Sequence, residues 1–246
     1  MYDFLKKNIS KIISRKRLIK IEPFLRFVYS IFKAGNSHLC LICNFNISKW
    51  IILPNNERIC PKCGSLPRDR RLWKLLKTGF IKENITVLDF SPSRSLFRQW
   101  KKEKNINYIA SDLSANFISD VFFDITKIPV DSNSFDLIIC YHILEHITED
   151  TKAIKELYRI LTPNGHAIIQ TPFKDGDIYE DETITSDKER LLHFGQEDHV
   201  RIYSIKGLKK RLEVVGFHVK ILALSDDDYL GFNKNENIII VQKIKC

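Results

Sequence analysis

No apolar stretch of this 246-residue chain approaches the roughly 20 residues of a membrane-spanning helix, since Phe24 to Phe32 is interrupted by Arg26 and Ser30. No secretory leader is expected either. Ile12-Ile13 is followed at once by Ser14-Arg15-Lys16-Arg17, and no small-residue cleavage site appears. The expected location is therefore the cytoplasm, where thiols stay reduced and bind metal. At 44% hydrophobic and 11% aromatic, the chain can fill one full-sized core with a small appendage left over.

Excess charge is absent from most of the chain. The formal net charge is +9, yet residues 1–35 hold nine Lys/Arg against two acids, so this arm carries seven of the nine excess charges. Such a footprint suits an anionic membrane surface, an acidic partner or RNA. Within the arm, Leu5, Ile9, Ile12 and Ile13 recur at helical spacing. Phe24, Leu25, Val28, Ile31 and Phe32 do so after Pro23, which is well tolerated at a first helical position. Two short amphipathic helices are expected, either peripheral to the inner face of a membrane or packed on the chain's own domain.

What is present in abundance is paired cysteine. Cys40/Cys43 and Cys60/Cys63 form two Cys-x-x-Cys pairs with sixteen residues between them. Zinc favours four soft ligands in a tetrahedron, and each pair presents two sulfurs to one ion, so the pattern predicts a structural zinc ribbon rather than buried thiols or disulfides. Gly64 can take the positive φ that completes the second turn. Cys140, in an apolar run, and Cys246, the last residue, read as ordinary.

Beyond the ribbon, Arg68 to Lys77 reads as a helix stopped by Gly79. Strand-like runs follow at 86–90, 108–110, 121–123, 135–140, 166–171, 217–224 and 237–243, most of them separated by helical patterns. This alternation predicts a mostly parallel sheet covered on both faces. Only the short polar stretch from Ser225 to Glu236 joins the last two strands, so the final strand should run antiparallel. The expected organisation is a basic helical arm at 1–35, a ribbon at 36–66 and an α/β domain at 67–246.

Three segments, Cys60-Pro-Lys-Cys-Gly-Ser-Leu-Pro-Arg-Asp-Arg-Arg-Leu-Trp73, Phe135-Asp-Leu-Ile-Ile-Cys-Tyr-His-Ile-Leu-Glu-His146 and Phe194-Gly-Gln-Glu-Asp-His-Val-Arg-Ile-Tyr203, carry a resemblance. The chain resembles the class I S-adenosylmethionine-dependent methyltransferases, and within them a bacterial group with an N-terminal four-cysteine zinc ribbon. The resemblance runs from about Cys40 onward and leaves the basic arm uncovered. It implies a Rossmann-like, seven-stranded sheet with an antiparallel last strand, and S-adenosylmethionine as cofactor.

In such sheets ligands sit beyond the carboxyl ends of the strands. Asp89 ends the first strand and matches the family's acid, but the glycines that normally follow are replaced by Phe90-Ser91-Pro92-Ser93. Asp112 ends the second strand, where its two oxygens can accept both ribose hydroxyls. Asp124 ends the third, where the family places an acid near the adenine amino group. The implied cofactor site is Asp89, Ser91, Asp112, Leu113, Asp124, Ile125 and Tyr141. Each acid could instead serve a turn or a helix cap.

The fourth strand leads into His142-Ile-Leu-Glu145-His146. The pattern matches a zinc-peptidase motif formally, but it starts where a strand ends, not inside a helix. If a helix began near Tyr141, His142, Glu145 and His146 would share a face and could hold a divalent ion. Between Phe173 and Glu189 lies an acidic stretch followed by a Ser186-x-x-Glu189 capping box, where the family builds its substrate lid. It runs into His199 and Arg201. His199 is the first candidate for a general base and His146 the second, with Glu145 beside it. Arg201 offers a planar fork to a substrate carboxylate or phosphate, or else forms a salt-bridged hinge with Asp198 and His199.

The function so read is methyl transfer to a small molecule or saccharide-type acceptor. RNA methylation with ribbon and arm on phosphates is one alternative, although the fourth strand lacks the Asn/Asp-Pro-Pro-aromatic motif of many base N-methyltransferases. A non-catalytic scaffold that keeps the fold is the other.

Overall fold

A computed structural model describes residues 15–114, 116–232 and 236–244. The expected helix around Leu5 to Ile13 lies outside them. The described chain falls into two compact units. One takes in residues up to Lys77 together with the segment that begins at Asp226; the other takes in Thr78–Ser225 and the final strand. The first unit thus includes part of the link between the last two strands.

In the first unit, α1 (Arg15–Ile31) runs through Pro23 instead of starting after it. Proline removes one backbone donor from a helix interior but does not by itself end the helix. Phe24, Leu25, Val28, Ile31 and Phe32 are all exposed, from 40% for Val28 to 79% for Phe32, so the apolar stripe is not packed away. The ribbon consists of two hairpins, β1 (Ala34–Cys40) with β2 (Phe45–Ile47) and β3 (Ile51–Ile52) with β4 (Arg58–Ile59). Gly64 closes the second knuckle at φ 77°, and a Cβ there would collide with the guanidinium of Arg26 from α1.

α2 (Pro67–Gly79) contributes Arg70, which is fully buried. Its guanidinium donates to the carbonyls of Arg58, Ser65, Leu230 and Gly231 and stacks over Trp50. A cation with no accessible surface is tolerable only when its donors are used, and here they staple the ribbon to the 226–232 segment. The same segment receives the Leu39 amide at the Tyr229 carbonyl and pairs Asp228 with Arg58.

The second unit is a six-stranded sheet. Its strands are β5 (Thr86–Phe90), β6 (Asn107–Ser111), β7 (Phe135–Tyr141), β8 (Leu161–Gln170), β11 (Phe217–Leu224) and β12 (Glu236–Lys243), in the order β11-β12-β8-β7-β5-β6. β5 through β8 are parallel; β12 runs antiparallel between β8 and β11, as the short connection requires. One face carries Leu88, Phe90, Ile138, Cys140 and Ile169 against Ile154, Leu157 and Ile160 of α4 (Asp150–Ile160) and Leu208 and Leu212 of α6 (Ile205–Val215). Leu137, Ile139 and Ile168, which alternate with those positions, are buried as well. A central strand buried on both faces reads as a continuous apolar run, as Leu137-Ile-Ile-Cys140 does.

The strand expected at 121–123 is reduced to a single parallel bridge between Ser111 and Val121. The cause is local. The Ala110 amide, which a longer pairing would use, donates to the Asp120 carboxylate at 3.0 Å, and the Phe123 amide donates to the Ser111 hydroxyl. Side chains take the edge of β6, and the ladder stops.

Candidate functional site

The chain leaves β5 for β6 on one side through α3 (Arg94–Trp100), then crosses back to β7 on the other. Because the three strands are parallel, the loops that follow them open on one edge, at the point where strand order reverses.

The turn after β5 reverses at Ser91, whose φ of 49° is left-handed. Glycine enters this region freely, whereas a residue with a Cβ does so at about 1–2 kcal/mol. Ser91 is held there by its amide, which donates to the Ser111 carbonyl, and by its hydroxyl, which donates to Asp112 at 2.7 Å. The missing glycines are thus replaced by a strained serine tied to the acid of the next strand. Asp112 is buried and also accepts from the Ser114 hydroxyl at 3.0 Å and the Phe117 amide at 3.1 Å. Leu113 and Phe117 beside it are 62% and 48% exposed, which puts apolar surface next to the carboxylate.

The other two acids differ. Asp89 is buried and accepts from the hydroxyl of Tyr108, whose ring stacks on Trp100. Burial and the Asp89 charge together push that hydroxyl well above its ordinary pKa. Asp89 thus sits within the fold, while Asp124 is exposed and caps its own turn by accepting from the amide and hydroxyl of Thr126, which lower its pKa. Ile125 next to it is buried.

At the end of β7, Tyr141 is half-buried and His142 takes a left-handed φ of 54°. No helix begins there. A single 3-10 turn, Leu144–His146, follows, so His142, Glu145 and His146 do not share a helical face. His142 Nδ1 lies 3.2 Å from Glu145 Oε1, and His146 meets His199 edge to face with ring centroids 4.7 Å apart. Glu145 is 1% exposed. Burial opposes its ionisation, but the His142 hydrogen bond and charge hold its pKa below the ordinary value. His199 is buried and its pKa is lowered, by burial first and then by His146, which keeps it neutral near pH 7.

The insertion after β8 arranges this cluster. β9 (Tyr179–Glu180) pairs with β10 (Arg201–Ile202), and α5 (Asp187–Phe194) opens on the expected capping box, with both Ser186 and Glu189 bonds made. The Phe194 carbonyl that ends α5 lies 3.2 Å from His199 Nδ1. Arg201 is buried and its donors are committed within the chain, to the carbonyls of Leu144, Ile147 and Thr148 and to Glu180. It positions the turn that carries Glu145 and His146. Asp150, Tyr203 and Arg211 extend the same network. Sequence reasoning missed two residues at the neighbouring strand end, Gln170 and Thr171, whose buried Oε1 and Oγ1 have no hydrogen-bond partner among the described residues. The available signal was a polar pair closing the apolar run of β8.

In the other unit the four cysteine sulfurs converge, with ligand atoms all within 4.8 Å of one another. Cys40 and Cys63 sulfurs are 3.6 Å apart, and those of Cys43 and Cys60 are 3.8 Å apart. A tetrahedron with bonds of about 2.3 Å has edges of roughly 3.8 Å, so the cluster is compatible with zinc. Asn44, at φ 51°, turns the first knuckle as Gly64 turns the second. A cleft of about 770 Å³ lies elsewhere, between α4 and α6 beside Lys155, Lys210 and Val214, and is lined by none of the residues expected to bind cofactor, metal or acceptor.

Comparison with known proteins matches residues 67–220, more than half of the chain, to the family described as methyltransferase domain. An uncharacterized protein of Methanocaldococcus jannaschii is 32% identical over 114 residues, which cover 44% of this chain and 49% of that protein. The chain thus spans about half the length of that curated relative. Among solved structures, a SAM-dependent methyltransferase from Archaeoglobus fulgidus is similar at TM-score 0.54 and 18% identity, covering 72% of this chain and 93% of the other. Phosphoethanolamine N-methyltransferase 2 of Haemonchus contortus, in complex with S-adenosyl-L-methionine, is similar at TM-score 0.53 and 16% identity, covering 72% and 53%. At these identities the likeness is one of fold.

The turn at Ser91 makes a stability prediction. Ser91→Ala keeps the left-handed strain and loses the bond to Asp112, so it should cost about 1.5–3 kcal/mol in urea unfolding. Ser91→Gly loses the same bond but is relieved of the strain, and should recover about 1 kcal/mol of that loss. Equal stability of the two variants would show that residue 91 is not strained.

Proposed function

The chain belongs to the methyltransferase-domain family and has its class I fold, and from that premise we propose that it transfers the methyl group of S-adenosylmethionine to a hydroxyl, amine or acidic oxygen of a small molecule or saccharide-type metabolite. The observation that carries this reading is the pairing of Ser91 and Asp112 where strand order reverses. Asp112 is held by hydroxyl donors from Ser91 and Ser114, which ribose hydroxyls can replace one for one. Leu113 and Phe117 offer an adjoining apolar surface for the adenine. Asp89, Asp124, Ile125 and Tyr141 are the other residues we assign to the site, with Asp89 and Tyr141 at the ends of β5 and β7. The four cysteines hold one zinc ion in a structural role, anchoring knuckles that have little apolar core of their own.

Methyl transfer is an in-line displacement at sulfur-bound carbon, so catalysis consists mostly of alignment and removal of one proton. The acceptor proton is taken at the Glu145, His146 and His199 group, with His199 the first base candidate because it is neutral, and His146 the second. Arg201 acts through the turn it holds. RNA is the alternative acceptor, and a fold retained as a non-catalytic scaffold is the other.

Calorimetry should show S-adenosylmethionine binding to the full chain, weakened roughly 10- to 100-fold in Asp112→Asn. Labelled cofactor should place methyl groups in the small-molecule fraction of a cell extract, and His199→Ala should lower that turnover at least about 100-fold with cofactor affinity unchanged. Unweakened binding in Asp112→Asn would move the ribose site. Label in RNA would overturn the acceptor class, and an absence of cofactor binding would leave a scaffold.

A second reading concerns α1. No helix among the described residues is long and apolar enough to cross a membrane, yet Phe24, Leu25, Phe27, Ile31 and Phe32 are more than half exposed on a segment rich in Lys and Arg. We read it as lying on an anionic bilayer surface. The full chain should sediment with vesicles containing anionic lipid and be released by salt, and Phe24→Ser with Phe32→Ser should weaken retention at least about tenfold. Retention that is insensitive to both changes would assign the arm to another partner.

A further inference from the structure

The Glu145, His146 and His199 cluster has a feature that a base alone does not need. Glu145 is 1% exposed, and only one of its oxygens is occupied: Oε1 meets His142, while Oε2 is buried with no hydrogen-bond partner among the described residues. An ionised carboxylate with a dry, unpaired oxygen is costly unless a cation faces it. Two imidazoles stand beside it, and one ligand atom from each of the three residues lies within 4.8 Å of the others.

The tautomers are settled by what the rings touch. His199 Nδ1 is 3.2 Å from the Phe194 carbonyl and His146 Nδ1 is 3.2 Å from the Asp198 carbonyl. A carbonyl only accepts, so each Nδ1 carries the proton and each neutral ring leaves Nε2 with a bare lone pair. Metal-binding histidines are commonly oriented in this way, by a backbone carbonyl on the far nitrogen. The ligating turn is itself fixed. Arg201 holds the carbonyls of Leu144, Ile147 and Thr148, and the Val200 amide donates to the Glu145 carbonyl, which joins the His199 segment to the Glu145 segment.

We propose that Glu145, His146 and His199 bind one divalent first-row transition-metal ion at the carboxyl end of β7, separate from the four-cysteine cluster. Two imidazoles and one carboxylate suit zinc, iron(II) or cobalt(II), whereas magnesium and calcium take oxygen ligands almost exclusively. His142 orients the carboxylate and is not itself a ligand. His146, half-exposed, has the freedom to close on the ion. Three protein ligands leave a position for an oxygen of the acceptor, whose proton the ion would make easier to lose to solvent. With Nε2 on the ion, His199 and His146 then serve as ligands in place of the base role given to them above. The ion's part in proton loss rests on the methyl-transfer reading; binding of the ion does not.

The test is metal stoichiometry on the full chain, loaded with Zn²⁺ and desalted. The wild-type chain should hold two ions, the Cys40→Ser/Cys60→Ser variant one, and Glu145→Gln and His199→Gln one each. Co²⁺ held at the second site should show weak visible absorption without thiolate charge-transfer bands, lost in His146→Ala, a half-exposed position where folding is not at risk. His142→Ala should weaken the ion by about 10- to 100-fold without abolishing it. A wild-type chain that takes no ion beyond the cysteine site, or His146→Ala and Glu145→Gln variants that keep wild-type uptake, overturns the site. Calorimetry with S-adenosylmethionine on the same samples separates the two claims. Cofactor binding without a second ion defeats the metal site alone, and a second ion without cofactor binding upholds it while defeating methyl transfer.

Discussion

Parallel pairing of β5 with both β6 and β7 is the constraint on which the rest depends. Parallel strands need crossovers, crossovers bury both faces of the sheet, and the reversal of order at β5 leaves one edge where three loops diverge. Ser91, Asp112 and Glu145 all lie just past the ends of those strands. None of them is close to another in sequence by the standard of a local motif. The sheet brings them together.

Once that edge exists, its loops are held by side chains where a family pattern would use glycine or longer strands. Ser91 adopts a left-handed φ and binds Asp112, and Asp120 takes the Ala110 amide and so ends the sheet at β6. Arg201 holds the turn after β7 by its carbonyls. Each device replaces backbone geometry with a charged or hydroxyl hydrogen bond. Such bonds are stronger than neutral ones and fix a single arrangement. Among the described residues of this opening, the left-handed backbone falls at Ser91 and His142, one at each of two neighbouring strand ends.

Much of this was legible in the chain. Apolar runs such as Leu137-Ile-Ile-Cys140 marked the buried strands, the short link before β12 marked its antiparallel course, and the cysteine pairs marked the cluster in the other unit. Local rules sufficed because each signal was local: periodicity, a capping box at Ser186 and Glu189, a Gly after a knuckle. What escaped was set by partners distant in sequence. Arg201 reads as a free fork until the Leu144 to Thr148 carbonyls are seen to use it. His142 reads as part of a helical face until its backbone turns the other way, and His199 joins Glu145 only through the fold. The segment from Asp226 to Phe232 reads as a plain loop, because its role is written in Arg70, some 160 residues earlier. Pro23 misled in the opposite sense, as a helix start that the helix in fact runs through.

The central claim is that the cofactor binds at the reversal point, between the loops after β5 and β6. Backbone hydrogen exchange of the full chain, with and without S-adenosylmethionine, tests it most directly. The account predicts slowed exchange concentrated at residues 90–95 and 111–118, with smaller effects at 141–146. Slowing confined to the cleft between α4 and α6, around Lys155, Lys210 and Val214, or no slowing at all, would contradict it.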